Sequence, residues 1–173
     1  MGSLKVAARE FGDIEREPGV LDTDAVPVRT LQASDLEALA RIDRKIVGRP
    51  RREYLSRKLE SSLRDSSLCI SLAALVDGQV AGFLMGSRYY GEFGLPEPVA
   101  ILDTLEVDPD LRHRRVASAL LRQLVLNLRA LGIECVQTEV DWQQQDLMAF
   151  FARSGFQPAS RLCLELRLTS AAE

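Results

Sequence analysis

The chain has 173 residues and a mass of 19.2 kDa, the size of one ordinary domain that buries a core without a disulfide or metal staple. Its 46% hydrophobic and 27% charged residues exclude a disordered protein. A net charge of -3 and a pI near 5.4 argue against a generally basic nucleic-acid binder. Cys69, Cys135 and Cys163 stand at no zinc or redox spacing and read as buried, reduced thiols in strands. No apolar run reaches the length of a membrane span, and no signal-peptide pattern opens the chain, so the expected location is the cytoplasm.

Residues 1–25 are acidic, weakly periodic and interrupted by Pro18-Gly19, and read as a flexible tail ahead of a single domain over 26–169. Val26 to Leu31 is a short strand candidate. Ser34 and Glu37 have the spacing of a capping box that opens a helix ending at Gly48. Leu36, Leu39, Ala40, Ile46 and Val47 mark its apolar face. A second helix runs over 51–64, with Leu55, Leu59 and Leu63 buried. Between 41 and 64 stand nine basic residues (Arg41, Arg44, Lys45, Arg49, Arg51, Arg52, Arg57, Lys58, Arg64) against three acidic ones. A solvated helical face explains that surplus better than a binding patch.

Residues 69–76 and 79–86 form a hairpin about Asp77-Gly78, a pair suited to the positive φ angles of a type I′ turn. A Gly-, Pro- and aromatic-rich loop, 87–99, leads to a strand over 100–107. Leu120, Leu121, Leu124, Leu128 and Leu131 make one stripe of a helix over 116–131 that stops at Gly132. A strand over 133–140, a helix over 146–154 and a strand over 162–168 complete the order β-α-α-β-β-β-α-β-α-β. The right-handed crossover from 100–107 through the long helix makes the strands 100–107 and 133–140 parallel. The fold class is therefore α/β (α+β): a mixed central sheet flanked by helices.

The chemistry concentrates after the strand 100–107. Pro109 breaks the strand, and Arg112, His113, Arg114 and Arg115 enter a helix at Val116 and Ala117. The first N–H groups of a helix lack internal partners and its dipole is positive there, so the turn has the physics of a phosphate seat.

The segment Val107-Asp108-Pro109 followed by Arg112-His113-Arg114-Arg115-Val116-Ala117 resembles the GCN5-related N-acetyltransferase (GNAT) superfamily, whose turn reads Gln/Arg-x-x-Gly-x-Gly/Ala after Val-x-Pro. Gly155-Phe156 resembles that family's Tyr-x-x-x-Gly-Phe ending, and the order of elements from Val26 to Leu168 matches its fold. The resemblance implies an acetyl-CoA-dependent N-acetyltransferase that moves an acetyl group to a primary amine by direct attack on the thioester, with no metal. It implies that strands 100–107 and 133–140 splay apart. The pantetheine arm then lies near Leu105, Glu106 and Val107, and the pyrophosphate lies on the amides of 112–117. Gln144 takes the place of the family Asn that contacts the same arm.

Two positions depart from the family. Arg115 replaces a Gly; ordinary helical φ and ψ are expected of it, with its guanidinium free to pair with phosphate. Phe151 replaces the Tyr that often protonates the leaving thiolate. Glu139, Asp103 and Glu106 are the candidate bases. Asp103 shares the parity of Leu105 and Val107, whereas Glu106 has the opposite parity unless a bulge intervenes. Trp142, Tyr89, Tyr90, Glu92 and Phe93 are candidates to border the cleft. The expected partner is an amine, protein-borne or small, with no nucleic acid and no membrane, and a homodimer is left open. The alternative is a non-catalytic GNAT-like module that binds acyl-CoA or a partner protein.

Overall fold

Amphipathic periodicity and turn chemistry account for most of the elements. The computed structural model describes residues 26–64, 70–90, 94, 96–111, 114–166 and 168. The acidic segment 1–25, Cys69, Glu92, Phe93, Arg112 and His113 therefore lie outside the described residues. The chain falls into two units divided between Glu139 and Val140.

The larger unit holds β1 (Val28–Thr30), α1 (Leu36–Val47), α2 (Arg52–Arg64), β2 (Leu72–Val76), β3 (Gln79–Tyr89), β4 (Val99–Val107), α3 (Val116–Ala130) and β5 (Cys135–Thr138). The five strands lie in the order β1-β2-β3-β4-β5. The first four pair antiparallel and β4 with β5 parallel, as the crossover rule requires. Asp77 and Gly78 have φ of 51° and 75°, so the hairpin turn has the expected two left-handed residues.

Side chains alternate across the sheet. Phe83 and Met85 join Leu31, Leu39, Ile42, Leu55, Leu59 and Ala73 in a core beneath α1 and α2. On the opposite face, α3 buries Val116, Leu120, Leu121, Leu124 and Leu128 against β2, β3 and β4. Leu131, expected on that stripe, is exposed because the helix has ended before it.

Helix entry differs from the expected box. Asp35, not Glu37, closes it: its carboxylate accepts the Gln32 N–H at 2.8 Å and pairs with Arg29 at 2.7 Å. Glu37 turns outward to Arg52. Much of the basic surplus of 41–64 is paired. Lys45 pairs with Asp108, Arg51 with Asp43, Arg57 with Glu53 and Lys58 with Asp103.

In the smaller unit, α4 spans Gln145–Arg153. The strand expected over 162–168 does not form: 161–166 and 168 have no strand assignment, and Leu162, Leu164, Leu166 and Leu168 are exposed. Alternation selects a strand only where a neighbouring strand supplies the ladder, and none pairs with these residues. The thiols differ from expectation for related reasons. Cys135 opens an edge strand and Cys163 lies in the unpaired segment, so both are exposed.

Gly82 determines how closely α3 approaches the sheet. A Cβ there would stand 2.8 Å from the Val116 side chain and 2.9 Å from the Glu106 carbonyl oxygen. Gly82→Ala should therefore cost about 1–3 kcal/mol, the scale of overpacking a core, measured by urea unfolding.

Candidate functional site

The ladder between β4 and β5 is short. It joins Val99–Leu102 to Cys135–Thr138 and ends there. Residues 104–107 of β4 pair with β3 on one side, and among the described residues no strand pairs with 103–107 on the other. Successive backbone groups of a strand point to alternate edges, so this stretch presents N–H and C=O groups along an open edge. Leu105, Glu106 and Val107 all lie in it. β5 is shorter than the expected 133–140, and Glu139 is an exposed residue beyond its end.

Past Val107 the chain is clamped. The Asp108 N–H donates to the Ala81 carbonyl at 2.8 Å, and the buried Asp108 carboxylate accepts the Asp110 N–H at 3.1 Å. Lys45 on α1 donates to both Asp108 oxygens at 2.8 and 2.9 Å and to Asp110 at 2.7 Å. Burial pushes the Asp108 carboxyl up, but Lys45 and the Asp110 amide together hold it below the usual carboxylate range. A short 3₁₀ turn, Pro109–Leu111, leads on to α3.

Arg114 is exposed, and Arg115 is the N-cap of α3 with φ 59° and ψ 15°. Ordinary helical angles were expected at Arg115; the backbone is left-handed instead. Arg115 is the N-cap of α3, and an N-cap residue stands outside the helix with non-helical φ and ψ. A left-handed backbone favours glycine, because other residues bring their Cβ against the carbonyl. Arg115 nonetheless caps the helix in part: its carbonyl accepts the Ala119 N–H at 2.9 Å. Ala117 follows Val116 in the first turn.

The candidate carboxylates of β4 come together through a bulge. Met85 pairs with Thr104 but Gly86 with Leu102, leaving Asp103 as the extra residue. The bulge reverses the alternation, so Asp103 and Glu106 both meet the side chains of the α1–α2 layer. Asp103 pairs with Lys58 of α2 at 2.7 Å and accepts the Thr104 hydroxyl at 2.9 Å.

Glu106 is the most confined of the three candidates, with a side chain 14% exposed. One oxygen, Oε1, stands 3.8 Å from Arg51 Nη2; the other, Oε2, is buried without a hydrogen-bond partner. Arg51 is committed elsewhere. Its Nε lies 3.2 Å from each oxygen of Asp43, and its Nη2 donates to Asp43 Oδ1. Asp43 is fully buried on α1. Burial first, and the charge of Asp43 second, push the Glu106 carboxyl up to about 7, against the opposing charges of Arg51 and Lys58. The protonated carboxyl gains a hydrogen bond to Asp43, which favours it further.

Sequence reasoning missed Asp43 and Arg51. A signal for Asp43 was present: it falls on the apolar stripe of α1, four residues after Leu39. An acid on a buried stripe needs a partner, and Arg51 is the one it finds.

A groove of about 350 Å³ adjoins Asp103, with Lys58, Ser61, Arg88 and Tyr89 among its walls. Tyr90 is exposed and is not among those wall residues.

In the smaller unit, Gln144 is the exposed N-cap of α4, its N–H bonded to the Asp141 carbonyl at 2.9 Å. Phe151 is buried, with ring centroids 5.4 Å from Phe150 and 4.9 Å from Phe156. Trp142 is 82% exposed.

Two outcomes follow from this geometry. Arg115→Gly should stabilise the fold by about 1 kcal/mol, since glycine accepts the left-handed backbone without the Cβ clash; urea unfolding of both proteins measures it. Glu106 carries a pH signature of the opposite sign to an ordinary paired carboxylate. In the unfolded chain its carboxyl ionises near 4.5, but in the fold it holds its proton to about 7. Below 4.5 both states are protonated and Glu106 adds no cost. As pH rises from 4.5 to about 7 the unfolded chain ionises while the fold keeps its proton, so the fold loses stability across that window, on the order of 3 kcal/mol in all once pH has passed through 7. Glu106→Gln, which is never charged, should gain on the parent in melting temperature between pH 5 and pH 8. A difference that stays constant over that range counts against the buried carboxyl.

Comparison with known proteins agrees with this architecture. The model of the "Acetyltransferase (GNAT) family" matches residues 35–156, well over half of the chain. The fold is similar to an aminoglycoside N-acetyltransferase, AAC(6')-Iy, solved in complex with CoA, at 18% identity and a TM-score of 0.69, covering 83% of this chain and 95% of that one. It is similar to a ribosomal-protein-alanine N-acetyltransferase from Brucella melitensis biovar Abortus 2308, at 20% identity and a TM-score of 0.67, over 83% of this chain and 100% of that one. It is also similar to Ard1 from Thermoplasma volcanium, at 24% identity and a TM-score of 0.65, over 79% and 85%. A mixed sheet whose parallel pair β4–β5 is joined through the long helix α3, together with a family match that spans all three elements, leads to one conclusion: the chain belongs to the GNAT acetyltransferase family.

Proposed function

We propose that the chain is an acetyl-CoA-dependent N-acetyltransferase acting on a primary amine, with Glu106 as its general base. The observation that carries this reading is the buried Glu106 carboxyl on the open stretch of β4, one oxygen unpartnered, holding its proton to about 7. A base whose affinity for a proton is matched to neutral pH is what removal of a proton from an amine requires. A carboxylate fully neutralised by an arginine would be too weak.

The open edge of β4 suits the pantetheine arm of acetyl-CoA, which needs backbone partners in extended register. The turn at 114–117 suits its pyrophosphate, since the first N–H groups of a helix have no intrahelical partner and the dipole is positive there. Bound acetyl-CoA supplies an activated acetyl thioester. The rest of the proposed chemistry belongs to this chain. Glu106 takes the proton of the attacking amine, directly or through one water. A free N–H on the open edge of β4 stabilises the charge developing on the carbonyl oxygen. The groove beside Asp103 is the proposed entry of the amine. Aminoglycoside and ribosomal-protein acetyltransferases among the similar folds support an amine acceptor as a class. No helix among the described residues is long and apolar enough to cross a membrane, which supports a reading in solution, and we place the protein in the cytoplasm.

Phe151 favours a second reading, a module that binds acyl-CoA without turnover, because it has no hydroxyl to protonate a leaving thiolate. A thiol has a pKa near 8.5, so the thiolate departs near pH 7 at a cost of about 2 kcal/mol relative to the thiol. That barrier is small enough for turnover without the Tyr.

Acetyl-CoA should raise the melting temperature of the wild-type protein, as a ligand of the folded state does. Thiol release with an amine acceptor should fall by about 10²–10⁴-fold in Glu106→Gln, the usual weight of a general base, while the thermal shift persists. An undiminished rate removes Glu106 from the reaction. A thermal shift without thiol release for any amine class selects the non-catalytic module.

A further inference from the structure

Asp43 has no part in contacting a substrate in the site described above, yet it is a fully buried charge. Burying a carboxylate is costly unless it is paired, and the pairing it has is unequal. Arg51 bonds Asp43 through two nitrogens, with its Nε 3.2 Å from both oxygens. The same Nη2 stands 3.8 Å from Glu106 Oε1, beyond hydrogen-bond distance. One guanidinium therefore faces two carboxylates and is held by the one on α1. Arg51 is itself fixed just ahead of α2, accepting the Leu55 N–H on its carbonyl at 3.0 Å. Its guanidinium also lies over the Tyr54 ring, 5.1 Å from the centroid.

We propose that Asp43 is a positioning residue for Glu106: by holding Arg51 on its own carboxylate it keeps the guanidinium from closing on Glu106. The charged groups that act on Glu106 are Asp43 from α1, Arg51 from the segment before α2, and Lys58 from α2, the last turned toward Asp103 at 2.7 Å. Of these, Asp43 favours the protonated carboxyl, whereas Arg51 and Lys58 favour the ionised one. Neutralising Asp43 removes the first influence and frees Arg51 to strengthen the second, so both consequences point the same way. The catalytic meaning of this arrangement rests on Glu106 being the base; the arrangement of the three side chains does not.

The experiment is a direct titration of the Glu106 carboxyl by carbon NMR in protein labelled at the glutamate side-chain carboxyl carbon, assigned with Glu106→Gln. In Asp43→Asn the midpoint should move down by at least one pH unit, and the acidic limb of kcat/KM should move with it. Arg51→Gln should move both in the opposite direction. An unmoved midpoint in folded Asp43→Asn overturns the proposal. Should Asp43→Asn fail to fold, Arg51→Gln decides: an upward midpoint upholds the shared guanidinium, and an unmoved one overturns it. A purely structural Asp43 would lower stability without moving either curve. If the NMR midpoints shift as stated but no amine is acetylated, the positioning holds and the assignment of Glu106 as a base fails.

Discussion

One extra residue in β4 organises this molecule. At Asp103 the strand has no opposite number on β3, and two things meet at the same point. The bulge stands next to Leu102, where the ladder with β5 stops. It also reverses the alternation of side chains, so Asp103 and Glu106 both reach the layer of α1 and α2 rather than opposite faces. Without the bulge, one of these two acids would face α3.

The surroundings of the bulge are held from both sides. On one face, Gly82 admits Val116 to within the space of a missing methyl group, and this close packing seats the N-terminus of α3. On the other, Lys45 draws Asp108 and Asp110 toward α1. Between these two contacts Arg115, the N-cap of α3, has a left-handed backbone. A left-handed arginine in place of the family's glycine is costly, yet it sets a cation at the N-terminus of a helix, where the dipole is positive. Persistent strain of this kind is found where surrounding structure over-determines a backbone, often at functional sites.

The charges between α1, α2 and β4 follow the same logic of constraint. Lys58 and Arg51 each belong chiefly to one carboxylate, Asp103 and Asp43. Glu106 is left with a distant guanidinium and a buried, unpartnered oxygen. In a low-dielectric setting such a group resists ionisation. The arrangement is unfavourable for stability at neutral pH and favourable for exchanging a proton there, and the proposed reaction needs the second property.

Much of the fold was legible in the residues, because periodicity and turn chemistry are local. The apolar stripes at 36–47, 55–63 and 116–128, the Asp77-Gly78 turn and the crossover that makes β4 and β5 parallel all follow from neighbouring side chains and chirality. So does the family resemblance carried by Val107 to Ala117, which the family match bears out. Other features depend on residues far apart in sequence. The alternating leucines of 162–168 specify a face but no partner, and no strand forms there. Which carboxylate is confined, and which arginine it must share, depends on α1, α2 and β4 meeting around a bulge that no local pattern announces. Local interactions thus determined the elements and their order. The tertiary structure alone decided the electrostatics of Glu106, because burial and charge proximity exist only once those elements have packed.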